Sequence, residues 1–176
     1  MSLIHGMSPH SSRCVTDYYM TCCGRAPLIA SMRHNMKPWH LDISYNEHLS
    51  PILLYGKMAE ARFVFCPSGL GFDTFRLWET LVLGAIPVVE SNEAGMDRIY
   101  GSLPVLVVRD FRDVTEDMLK EAYMCFQKNA RLYEYRHLTV QYWVEMVRRV
   151  QTSGSVEQYN AEHPGVNRHC HFMMKM

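Results

Sequence analysis

The chain has no excess of either charge. Its 176 residues carry 18 Lys and Arg against 18 Asp and Glu, for a formal net charge of zero. No basic stripe is available to follow a phosphate backbone, which argues against nucleic acid as a partner. No apolar run reaches the length of a membrane span. The opening MSLIHGMSPHSSR lacks the apolar core of a signal peptide. Six cysteines are scattered without a repeated metal-binding or disulfide spacing. No internal repeat is present. What is left, 48% hydrophobic and 20% charged residues, is ordinary for a globular protein, and the length suffices for one domain with a real core.

Against that even background one stretch organises the chain: Arg62 to Glu90, RFVFCPSGLGFDTFRLWETLVLGAIPVVE. Phe63-Val64-Phe65-Cys66 is short, apolar and rich in strand formers, the pattern of a strand buried on both faces. Pro67-Ser68-Gly69-Leu70-Gly71 breaks regularity. Asp73 is placed to cap a helix from Thr74 to about Leu83, and Gly84 is the expected stop. Ile86-Pro87-Val88-Val89 reads as a second strand. Pro87 removes one ladder donor, so it belongs near that strand's start. The three elements make one βαβ unit, expected to close right-handed.

That unit suits an anionic ligand. A glycine loop after a parallel strand exposes backbone N–H groups, and the helix that follows adds about half a positive charge at its N-terminus. Arg76 in the first helical turn opposes the macrodipole, a cost of a few tenths of a kcal/mol that a bound diphosphate would offset. Glu79, three residues on, shares its face, and a carboxylate there can accept two hydrogen bonds from a ribose diol. The alternative is that Arg76 and Glu79 form a surface ion pair. Glycine-rich turns of this kind are common, so spacing alone leaves both readings open.

The segment SGLGFDTFRLWETLVLGAIPVV resembles the donor-binding signature of exostosin-type glycosyltransferases, nearest to the ribitol xylosyltransferase group. The resemblance rests on Pro67, Gly69, Gly71, Asp73, Arg76, Trp78, Glu79, Leu81, Leu83, Gly84, Ile86, Pro87 and Val89. It extends less sharply over about Tyr45 to Val150. Ser68 stands where the family usually carries arginine, so one cation expected near the phosphates is missing. The resemblance implies an α/β fold with a Rossmann-like doubly wound parallel sheet, the C-terminal half of a two-domain GT-B fold. It implies a UDP-sugar as donor substrate, a glycan or alditol-phosphate acceptor, inversion at the anomeric carbon, no required cofactor, and work in the Golgi lumen. Carried onto this chain, donor binding falls to Ser68, Gly69, Leu70, Gly71, Asp73, Arg76, Glu79 and Ser91, with Arg76 catalytic through charge stabilisation. No general base is identified.

The rest of the chain continues the rhythm. Residues 49 to 61 read as a helix with Ser50 as cap, Pro51 at its first position, and a broad apolar face of Ile52, Leu53, Leu54, Tyr55, Met58 and Ala59. Ala94 to Tyr100 reads as a short helix and Pro104 to Val108 as a third strand. Three loops then meet at one sheet edge: Pro67 to Asp73, Glu90 to Asn92, and Arg109-Asp110. In open α/β sheets that carboxyl edge binds the ligand. Residues 113 to 128 read as a helix capped by Asp113 or Thr115, burying Met118, Leu119, Ala122 and Phe126. A last helix is expected over Tyr135 to Gln151, with Leu138, Tyr142, Met146 and Val150 at i+4 spacing.

The division implied is a linker or remnant of another domain over 1–43, a nucleotide-sugar-binding α/β domain over 44–151, and a disordered tail over 152–176. Cys22-Cys23 and the His163, His169, Cys170, His171 group read as incidental rather than metal-binding. Two functions follow. One is the donor-binding half of a glycosyltransferase. The other is a non-catalytic fragment or paralogue that keeps the fold and binds a nucleotide sugar or a partner.

Overall fold

The computed structural model describes residues 14–16, 41–43, 49–68, 73–91 and 100–153. They form a mixed α/β structure around a parallel sheet. Its strands are β1 (Cys14–Thr16), β2 (Leu41–Ile43), β3 (Phe63–Phe65), β4 (Ile86–Glu90) and β5 (Leu106–Val108), in the spatial order β2-β1-β3-β4-β5. Every pairing is parallel, with Val15 opposite Val64, Phe65 opposite Val88, and Val89 opposite Val107. The stretch expected as linker or remnant thus contributes two strands, β1 and β2, to the same sheet as the glycine-loop unit.

The helices are α1 (Pro51–Glu60), α2 (Phe75–Val82), α3 (Glu116–Lys128) and α4 (Val140–Ser153). They cover both faces of the sheet, because strand side chains alternate. Phe63 and Phe65 meet one cluster with Phe111, Leu119, Ala122 and Phe126, under α3. Val64 and Cys66 meet another with Leu54, Met58, Leu77 and Leu81, under α1 and α2. Phe65 and Phe111 lock edge to face at 5.5 Å, a geometry that adds to simple burial.

Local signals explain most boundaries. Ser50 caps α1 by accepting from the Leu53 N–H, with proline in the first turn. Gly84 ends α2 at φ 83°, a left-handed conformation that glycine adopts without a Cβ penalty. Pro87 lies inside the register of β3 and β4. Ile86 donates to the Arg62 carbonyl on the β3 side, so by alternation Pro87 turns its missing donor toward β5. There Leu106, the first residue of β5, pairs with Val88, one residue later. The proline therefore sits where that ladder has not yet begun.

Three expectations are corrected. The cap of α2 is Thr74, whose hydroxyl accepts from the Arg76 N–H, and not Asp73. The last helix is two pieces: a 3-10 turn over Tyr135–Leu138, then α4. Thr139 between them is extended, at φ −107° and ψ 142°, and its hydroxyl accepts from the Tyr142 N–H, which restarts the helix. The broad apolar face of α1 is also narrower than expected. Leu54 and Met58 are buried, while Ile52 and Leu53 are exposed. Of the two caps considered for α3, Thr115 is the one used, accepting from the Met118 N–H. The expected helix over Ala94 to Tyr100 and the expected tail lie almost wholly outside the described residues.

The C-terminal elements are tied by polar contacts to the turn before β5 and to one another. Ser102 Oγ and His137 Nδ1 share a hydrogen bond, and the Trp143 indole donates to the His137 carbonyl at 2.9 Å. Trp143 also meets Trp78 of α2 edge-on at 6.3 Å. Cys125 on α3 is disulfide-bonded, and Cys66 is a buried free thiol.

Phe111 is 1% exposed at the centre of one core cluster, whereas Phe75 is 88% exposed. Phe111→Ala is expected to cost about 3–5 kcal/mol in urea unfolding. Phe75→Ala should stay within about 0.5 kcal/mol of the parent.

Candidate functional site

The sheet order reverses between β1 and β3: from β1 the chain moves outward to β2, then crosses back to β3 on the other side. In open α/β sheets the crevice beyond the carboxyl ends at such a reversal is where ligands bind. The Pro67–Thr74 connection leaves β3 at that place and leads into α2. Ser68 is exposed there. Gly69, Leu70 and Gly71 lie outside the described residues.

Arg76 and Glu79 are together on one face of α2, and α1 completes the group. The Arg76 guanidinium (Nη1) donates to Glu79 Oε2 at 2.8 Å and also lies 3.2 Å from the Met58 sulfur of α1. Glu79 Oε1 accepts from the Tyr55 hydroxyl of α1 at 2.8 Å. The Arg76 side chain is 16% exposed and that of Glu79 33%. At that exposure the pair is neither a solvated surface contact, which contributes little, nor a sealed one. The carboxylate offsets the opposition between the cation and the positive helix end. Each Glu79 oxygen keeps a lone pair after these bonds, so the carboxylate can still accept from a ligand.

Asp73 has a different setting. Both of its oxygens accept from the Trp78 indole, at 3.0 and 3.2 Å, and Oδ1 also accepts from Tyr100 at 3.4 Å. Trp78 and Tyr100 meet edge-on at 6.1 Å. Asp73 therefore pins the end of the glycine loop to α2 and to the buried Tyr100. This is why its carboxylate is not the helix cap. Thr74 fills that role with a shorter side chain closer to the first N–H groups.

At the neighbouring strand end Ser91 is exposed, and its N–H donates to the Val108 carbonyl at 2.8 Å, extending the β4–β5 ladder. Beside it lies Glu90, expected at this edge from the sequence but given no role there. Glu90 Oε1 accepts from the Phe111 N–H at 3.0 Å. Burial pushes the Glu90 carboxyl above its usual range; the Phe111 bond pulls the other way, and Asp110 adds to the rise. Asp110 caps the following 3-10 turn and forms a forked pair with Arg112. The guanidinium holds the Asp110 carboxyl below its usual range. Alternation from Ile86 and Val88 would have put Glu90 on their face of the sheet, so period two was the signal for it. Nothing in the sequence paired Tyr55 with Glu79, because they sit 24 positions apart on different helices.

Among the described residues no group of three or more His, Cys, Asp and Glu side chains is arranged to hold a metal ion. The His163, His169, Cys170 and His171 group lies outside them. Among the described residues no helix is long and apolar enough to cross a membrane. No protein-family model matches the chain, and no curated protein sequence matches it.

Glu90 gives a pH signature. Its folded carboxyl titrates above its unfolded value, so between the two the folded state holds the extra proton. Stability contributed there is greatest in acid and declines as pH rises through the folded value. Glu90→Gln keeps an acceptor for Phe111 and removes the titration. Its stability relative to the parent, measured by urea unfolding, should improve from pH 4 to pH 7. An unchanged difference across that span would show that Glu90 does not titrate abnormally.

Proposed function

We propose that the chain binds a nucleotide sugar, UDP-linked, and is the donor-binding half of an exostosin-type glycosyltransferase of GT-B architecture, with the parallel sheet as its Rossmann-like core. The observation that carries this reading is the Arg76–Glu79 pair. A guanidinium and a carboxylate share one face in the first turns of α2, just past the loop that leaves β3 where the strand order reverses. The typed positions from Pro67 to Val89 support the same reading, since most of them stand on elements that shape this edge.

The chemistry asked of the site is modest. An acceptor hydroxyl oxygen forms a bond to the anomeric carbon from the face opposite the diphosphate. The bond from that carbon to the diphosphate oxygen breaks, and the electron pair leaves with UDP. The hydroxyl proton passes to a base outside this constellation. Charge develops on the diphosphate, where loop amides, the N-terminus of α2 and Arg76 can meet it with preorganised dipoles. Glu79 takes the ribose diol. Ser68, Asp73 and Ser91 frame the edge: the first and last by exposed side chains, Asp73 by fixing the loop end. The Cys125 disulfide suits an oxidising compartment such as the Golgi lumen.

A second reading has a specific observation in its favour. Ser68 supplies no cation where the related signature has arginine, so charge stabilisation at the phosphates falls to Arg76 alone among the typed positions. A chain that binds the nucleotide sugar without turnover is the form this takes. Transfer from UDP-sugars, measured by released UDP, separates the two.

Calorimetry tests the shared premise. UDP should bind the parent chain, and at about 100 times its Kd should add ~2.7 kcal/mol of stability in a thermal melt. GDP and ADP serve as comparators. Glu79→Ala is expected to weaken UDP binding more than about tenfold, as befits loss of hydrogen bonds to a charged acceptor. Equal UDP affinity in the two proteins would remove Glu79 from the site.

A further inference from the structure

We infer that Tyr55 is a positioning residue of the nucleoside subsite: its hydroxyl fixes the Glu79 carboxylate in the orientation that receives a ribose diol. The inference rests on the nucleotide reading above and adds to it a residue on a different helix.

The geometry is a two-sided clamp. Arg76 holds Glu79 Oε2 at 2.8 Å from within α2, and Tyr55 holds Oε1 at 2.8 Å from α1. A glutamate on a helix surface has three side-chain torsions and surrenders them when it grips a ligand. Here they are already fixed before any ligand arrives. The ion pair alone leaves the carboxylate free to pivot about Oε2; the second anchor removes that freedom. A tyrosine has two torsions, and its backbone is carried on a helix that feeds directly into β3. The clamp is therefore set by the seating of α1 and α2 in one core cluster, in which Leu54 and Met58 of α1 and Leu77 and Leu81 of α2 are buried together.

The nature of the second anchor matters. A phenol is a neutral donor, so it orients the carboxylate without adding a second cation. One acceptor site remains on each oxygen, and two acceptors on one planar group match two adjacent hydroxyls. Tyr55 is 39% exposed and the Glu79 side chain 33%, so solvent reaches both partners of the clamp. Preorganisation of this kind raises affinity by lowering the ordering cost of binding.

The test is calorimetry with two probes, UDP and 2′,3′-dideoxyuridine diphosphate, on the parent chain, Tyr55→Phe, Glu79→Ala and the double variant. Phenylalanine keeps the ring, so an unchanged melting temperature is expected for Tyr55→Phe. It should bind UDP about three- to tenfold more weakly than the parent, less than a full hydrogen bond to a charged group because Tyr55 acts on the ligand only through Glu79. Its affinity for the dideoxy probe should not change, because that probe has no diol for Glu79 to hold. In the Glu79→Ala background Tyr55→Phe should have no further effect, since residues acting through one another are not additive. A merely structural role would weaken both probes alike and overturn the inference, as would an unchanged UDP affinity in Tyr55→Phe; either result leaves the nucleotide reading standing. A parent chain that does not bind UDP overturns both.

Discussion

Strand β3 has no solvent face, and much of the described structure depends on that. Phe63, Val64, Phe65 and Cys66 are all buried, alternately toward α3 and toward α1 and α2. Parallel sheets are covered on both faces by their crossover helices, and here α3 covers one face of β3 while α1 and α2 cover the other. Its carboxyl end is then the first point at which the chain regains water. Ser68, exposed just beyond that end, is where the chain leaves the sheet. The position of the candidate site is thus a consequence of how β3 is buried.

The second constraint is electrostatic. A cation near the N-terminus of α2 is unfavourable by itself. The structure resolves this by closing Arg76 onto Glu79 and resting it against the Met58 sulfur. The carboxylate is in turn held from α1 by Tyr55. The group couples two helices that pack on the same side of the sheet. Asp73, Trp78 and Tyr100 form a parallel arrangement a few residues away, tying the loop end to the chain that leads into β5. Both groups use a polar atom to fix an orientation that apolar packing leaves free.

Much of this was legible in the residues. The β3–loop–α2–β4 unit, the cap at Ser50, the stop at Gly84 and the stripe of α3 all follow from local patterns whose range is one turn of helix or two residues of strand. The failures also have physical causes. Asp73 has the right chemistry for a cap, but a tryptophan five residues on competes for its carboxylate. The i+4 series from Leu138 to Val150 ran on through Thr139, where the backbone is extended and a hydroxyl cap restarts the helix. Strands β1 and β2, Cys14-Val15-Thr16 and Leu41-Asp42-Ile43, lack the continuous apolar run that marks β3.

Neighbouring residues suffice for the α/β rhythm, the short-range caps, and the placing of Arg76 and Glu79 on one helical face, because each depends on residues within a few positions of one another. Tertiary structure alone decided the strand order, the reversal beside β3, the seating of Glu90 under Phe111, and the meeting of Tyr55 with Glu79. Those depend on how separate elements pack. Pairings across 21 and 24 positions leave no periodic trace in a single chain.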